Sequence, residues 1–149
     1  MDTALTGIAK EEFPMIKVIM GLKGSGKTKQ LINAIQDAVA TEAGDIVCIE
    51  YGKKLTYDVN YKVRLVDSQE YGIRSAEMLE GFLSGLHAGN FDITHVFIDN
   101  LYKTIGNDRA AAESFVAWCA KFASDNNMEI TMTVSDDPAQ APDSVKQYM

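Results

Sequence analysis

Gly21-Leu22-Lys23-Gly24-Ser25-Gly26-Lys27-Thr28 decides how this chain reads. The octapeptide fits G-x-x-x-x-G-K-[ST], the pattern of a phosphate-cradling loop. Four fixed positions also arise by chance, so the flanks carry the weight. Before the loop, Met15-Ile16-Lys17-Val18-Ile19-Met20 is short, mostly apolar and β-branched, the composition of a buried strand. After it, Thr28 to Ala40 contains neither Gly nor Pro and repeats Leu31, Ile32, Ile35, Ala38 and Val39 at helical spacing. Strand, glycine loop and helix therefore follow in the order that phosphate binding requires. A plain strand-to-helix turn with a solvated lysine has no need of that order.

The chemistry expected of each position is local. Gly21 and Gly26 are expected to supply the backbone angles of a tight turn, and Gly24 to let the main chain approach a phosphate without a Cβ in the way. Across Leu22, Lys23, Gly24 and Ser25, successive N–H groups would face one concave nest, to which the helix starting near Lys27 adds its positive end. Lys27 should reach the β- and γ-phosphates, and Thr28 should place its hydroxyl on Mg²⁺. The guanine-reading tetrapeptide Asn-Lys-x-Asp does not occur, which favours adenine and makes ATP and Mg²⁺ the expected ligands.

The 149 residues suffice for one domain with a sizeable core and are too few for two of ordinary size. With 46% hydrophobic and 23% charged residues, the composition is that of a globular chain. A net charge of −7 argues against nucleic acid or an anionic membrane surface as partner, and focuses the expected positive potential at Lys23 and Lys27. No apolar run reaches membrane-span length, and the N-terminus lacks a basic-then-apolar leader pattern. Cys48 and Cys119 have no metal spacing, so they read as reduced core residues of a cytoplasmic protein and argue against a structural zinc site.

Three segments are expected: a loose extension over residues 1–14, a nucleotide-binding domain over 15–138, and a surface tail over 139–149. Met15 fits a start site as well as Met1 does. Gly44 is a natural cap for the end of the first helix. Apolar runs at 46–49 and 93–98, an alternating run at 62–67 and a last run at 128–134 read as further strands. Helices are predicted over Ala76 to His87, with Ser75 as N-cap, and over about Arg109 to Ala123. Gly81, Gly85 and Gly89 line one side of the first of these, which suggests close packing on a neighbouring element or a groove for a partner helix. His87 and His95 look isolated and structural. Alternating strands and helices imply a mostly parallel sheet of about five strands between helical layers.

A phosphate loop also needs a second acid for the Mg²⁺ shell, at the end of an adjacent parallel strand. Val96-Phe97-Ile98-Asp99 supplies it, three apolar residues followed by an acid, with Asp99 as the metal-associated carboxylate. The loop, this acid-terminated strand and the strand order together resemble small RecA-like P-loop NTPases. The stretch from Met15 to Pro138, including Val-Cys-Ile-Glu at 47–50 and Leu-Thr-Tyr-Asp-Val-Asn-Tyr-Lys-Val-Arg-Leu at 55–65, is similar to short ATP-binding proteins of Gram-positive bacteria often labelled twitching-motility-like. That label implies little here, because the His and Asp boxes of a pilus motor are absent.

The resemblance implies a three-layer fold and further site residues. ATPases of the additional-strand class often carry Glu directly after the acid, where this chain has Asn100. The resemblance offers Glu50, after the second strand, as a replacement catalytic base, and Ser135 as a polar sensor of the γ-phosphate. Partitioning ATPases would place a lysine where Leu22 stands. A thymidine kinase would show Asp-Glu and a cysteine-rich lobe, and a nucleotide kinase an arginine-rich lid. Arg64, Arg74 and Arg109 are scattered, each eligible as a finger across an oligomer. The expected activity is slow Mg²⁺-dependent ATP hydrolysis, with Lys27, Glu50 and Asp99 as catalytic residues, coupled to a protein partner or a homo-oligomer. A non-hydrolysing nucleotide switch and, less directly, a small-molecule kinase are the alternatives.

Overall fold

The computed structural model describes residues 15–55 and 58–149. The extension assigned to residues 1–14 therefore lies outside the described residues. Five parallel strands form one sheet in the order β1-β5-β4-β2-β3. They are β1 (Ile16–Gly21), β2 (Asp45–Glu50), β3 (Arg64–Asp67), β4 (Ile93–Ile98) and β5 (Glu129–Ser135). Helices α1 (Lys27–Thr41), α2 (Ala76–Gly89) and α4 (Arg109–Asn126) connect them, with the short α3 (Leu101–Thr104) after β4 and α5 (Asp143–Lys146) after β5. Continuous burial of Ile46 to Glu50 and of His95 to Ile98 follows from a parallel sheet covered on both faces.

Alternate residues of each strand feed two cores. Val47, Ile49, Val96, Ile98, Ile130 and Met132 pack with Leu79, Leu83, Phe115 and Cys119 of α2 and α4. Ile46, Cys48 and Phe97 face the other way, onto Leu31, Ile35 and Ala38 of α1. Helix starts follow the capping rules: Ser75 Oγ accepts from Met78 N, and Asp108 Oδ1 from Ala111 N.

Three sequence expectations need correction. The acid-bearing strand β4 is not adjacent to β1, because β5 runs between them. Gly44 is not the cap of α1: Glu42 is, in extended conformation. A Cβ on Gly44 would instead strike the Thr94 side chain and lie 2.5 Å from Asp92 O, so glycine serves close approach to β4 there. Among the described residues the glycine stripe on α2 packs on nothing, since a Cβ at Gly81, Gly85 or Gly89 would meet no atom of theirs within 4 Å. Residues 139–149 lie mostly at the surface and are tied down at a few points. Val145 is buried, Tyr148 packs against the larger core, and Val18 N donates to Tyr148 O at 2.9 Å along the outer edge of β1. That contact covers an edge strand that would otherwise present unpaired backbone groups.

Candidate functional site

Because all five strands are parallel, the loops after β1, β2, β4 and β5 gather at one end of the sheet, where open α/β folds bind ligands. The glycine loop leaves β1 there. Gly24 and Gly26 hold left-handed angles, φ 85° and 89°. Gly21 is glycine for a different reason than the turn angle expected of it, since a Cβ would collide with Ser25 Oγ. Nothing lies within 4 Å of a Cβ built on Gly24 or Gly26, which leaves the loop's concave side open. Ser25 N donates to Leu22 O at 3.0 Å, and Lys27 Nζ donates to the same carbonyl at 3.1 Å. Helix α1 starts at Lys27 with no side-chain cap and no acid in its first turn, as suits an anion at its positive end.

A cleft of about 630 Å³ opens over this loop. Lys23, Gly24, Gly26, Lys27 and Thr28 form one wall, Asp99 and Asn100 another, and Thr133 and Ser135 of β5 lie between. The register explains the last two: Gly21 pairs with Ser135 and Ile98 with Met132, so β5 delivers Thr133 and Ser135 level with the loop and the acid. Lys54 and Lys103 also line the cleft. Four lysines thus face one carboxylate, Asp99, in a chain whose net charge is −7. Sequence reasoning anticipated only Lys23 and Lys27. The signal that could have found the others is position, since each lies just beyond the C-terminal end of a parallel strand.

Asp99 is held rather than free. Its Oδ1 accepts from Thr133 Oγ1 at 2.8 Å, and that hydroxyl accepts from Asn100 N at 2.8 Å. Its own N–H extends the sheet by donating to Ile49 O. Asn100 adopts φ 58°, ψ 65°, a left-handed conformation that asparagine tolerates better than glutamate. The backbone thereby accounts for the residue that departs from the additional-strand pattern.

Glu50 does not line the cleft. It is 2% exposed, and Oε1 accepts from Lys54 N at 2.7 Å and Leu55 N at 3.1 Å. The carboxylate caps the turn after β2 and so aims Lys54 and Leu55 at the cleft. Burial, followed by the charges of Glu50 and Asp99, drives the nearby Cys48 thiol far above its ordinary range. Cys119 is raised as well, chiefly by burial. Neither thiol is reactive by these criteria.

All three arginines are exposed, and Arg109 reaches Asp136 Oδ1 at 3.1 Å. Tyr102 donates to Asp136 Oδ2 at 2.8 Å and separates the cleft from a second cavity of about 280 Å³ floored by Met20, Val116 and Val134. Burial, then the Asp136 hydrogen bond and charge, push the Tyr102 phenol up to about 12 against the pull of Arg109.

His87 packs on Phe91 and Phe122, at 5.2 and 6.1 Å between ring centroids. His95 is not isolated. Its Nδ1 lies 2.7 Å from Glu42 Oε2 and 3.2 Å from Glu129 Oε2, residues too distant in sequence to be grouped by spacing. The pairing with His95 draws the Glu129 carboxyl below its ordinary range.

Among the described residues, no helix is long and apolar enough to cross a membrane. No protein-family model and no curated protein matches this chain.

Proposed function

We propose that this chain is a Mg²⁺-dependent ATP-binding P-loop protein of RecA-like type, a slow ATPase whose nucleotide state is read by a protein partner. The observation that carries the proposal is the convergence of the 21–28 loop, Thr28, Asp99 and Ser135 on one lysine-rich cleft. A triphosphate is a polyanion, and four lysines with the start of α1 supply the complementary field. Thr28 and Asp99 fit an Mg²⁺ that keeps most of its ligands as water and phosphate oxygen: a hydroxyl and a carboxylate face the same space, and Thr133 fixes the carboxylate's orientation. The cleft volume lies within the range of small-molecule sites.

The residues assign roles without a strong base. Lys27 neutralises the transferred phosphoryl group, the loop N–H groups orient it, and Ser135 reports its presence from β5. Glu50, already used as a turn cap, is a positioning residue for Lys54. Asp99 is the one carboxylate among the residues lining the cleft, and it is assigned to the metal shell. Turnover should therefore be slow.

The same geometry supports a second reading, a non-hydrolysing nucleotide switch or assembly subunit, favoured by Glu50 Oε1 being spent on two backbone N–H groups. Phosphate release and ATP binding, measured side by side on the protein and its Lys27→Ala variant, test both. The ATPase reading expects slow release that falls roughly tenfold or more in the variant. Turnover indifferent to Lys27→Ala would sink it, and tight binding without turnover would select the switch.

A further inference from the structure

We propose that Glu42, His95 and Glu129 form a binding site for a divalent ion of the zinc class, at the end of the sheet opposite the glycine loop. The three residues come from the exit of α1, from β4 and from the first position of β5. Their ligand atoms all lie within 4.8 Å of one another. A histidine ring nitrogen makes one good hydrogen bond, yet two carboxylate oxygens converge on Nδ1 at 2.7 and 3.2 Å. An ion ~2.1 Å from Nδ1 and from each carboxylate oxygen would see these two separations at roughly 80° and 100°, the cis angles of a coordination sphere.

The surroundings hold these groups as ligands are held. His95 Nε2 lies 2.8 Å from Thr131 Oγ1, and Thr94 Oγ1 donates to Glu42 Oε1 at 2.9 Å. With Nδ1 on the ion, Nε2–H donates to the Thr131 hydroxyl, the outer-sphere bond that fixes a ligand's tautomer. Phe97 stacks on the imidazole at 4.0 Å between centroids and sets the ring plane. Gly44 permits the close approach that brings Glu42 over β4. A groove of about 270 Å³, lined by Lys17, Asp37 and the three ligands among others, leaves the remaining positions open to water. One imidazole and two carboxylates suit zinc, cobalt or manganese better than magnesium.

The test is a CoCl₂ titration of the full chain without nucleotide, followed by visible absorbance and calorimetry, with ZnCl₂ as competitor. One equivalent of Co²⁺ should bind, be displaced by Zn²⁺ and resist equimolar Mg²⁺. His95→Gln and Glu129→Gln should each weaken binding roughly tenfold or more. Glu129 is half-exposed, so its variant folds even if His95→Gln does not. Asp99→Asn should leave Co²⁺ binding intact, which separates this site from the cleft. Zn²⁺ should raise the Tm of the unsubstituted protein and not that of Glu129→Gln. Failure of Co²⁺ to saturate, or equal binding by Glu129→Gln, would overturn the proposal and leave His95 as a ring hydrogen-bonded among Glu42, Glu129 and Thr131.

Discussion

Thr133 Oγ1 donates to Asp99 Oδ1 at 2.8 Å, linking β5 to the acid at the end of β4. The same oxygen accepts from Asn100 N, so one hydroxyl fixes both a side chain and the backbone that follows it. Thr133 is 1% exposed while Asp99 and Asn100 are half-buried, so solvent in the cleft replaces only part of what either bond contributes. Thr133→Val should cost about 1 kcal/mol in stability, because it strands a half-buried N–H and unties a carboxylate. It should also weaken ATP binding in Mg²⁺ more than in EDTA, whereas Thr133→Ser should restore both. Chemical denaturation and calorimetry with and without Mg²⁺ would measure this.

Glu50 separates two roles by the size of its substitutions. Glutamine keeps the Oε1 acceptor for Lys54 N and Leu55 N, and alanine removes it. If Glu50 positions Lys54, Glu50→Gln should leave ATP affinity and turnover within roughly threefold, and Glu50→Ala should weaken affinity and cost about 1–3 kcal/mol. A general base would behave otherwise, losing turnover in both variants with affinity intact. Steady-state phosphate release beside binding isotherms distinguishes the cases.

Asn100 invites the substitution suggested by the additional-strand pattern. Asn100→Glu places a longer side chain at φ 58° and should cost about 1 kcal/mol without accelerating hydrolysis. Asn100→Gly should be neutral or better, since glycine adopts this conformation freely. Melting temperatures of the two variants give the comparison.

Tyr102 should ionise late. Its phenol is held at about 12 against an ordinary 10.0, so the neutral form is favoured in the folded state. The associated stability is fully present below about pH 10, where folded and unfolded chains are both protonated. It is lost progressively as pH rises toward 12, because the unfolded chain gives up its proton first. Tyrosinate absorbance should show a late step that Tyr102→Phe removes.

The loop, the strands and the long helices were legible because their signals are local. Glycine spacing, apolar runs and helical periodicity each lie within about 20 residues, and Ser75 and Arg109 mark helix starts in both readings. Lateral order is not local. Nothing in Val96 to Asp99 says that β5 will lie between β4 and β1, and Thr133 was therefore invisible as the partner of Asp99. His95, Glu42 and Glu129 escaped for the same reason, being separated by 53 and 34 positions. How residues 139–149 are held was not legible, because it rests on few groups: Val145, Tyr148 and a backbone bond to Val18 tie down an otherwise polar stretch. The α2 glycines differ in the opposite direction, since their spacing imitates a packing motif that no neighbour among the described residues uses.

The backbone bond between Val18 and Tyr148 bears on assembly. A sheet recruits another chain through its marginal strands, and here the β1 margin is already engaged by the chain's own residues. The sheet's other margin is β3, four residues long and led by Arg64. Two copies joined there would form a continuous ten-stranded sheet with a β1 strand at each outer limit, both covered. Growth by that route would stop at the dimer, with the two glycine loops held at its far ends.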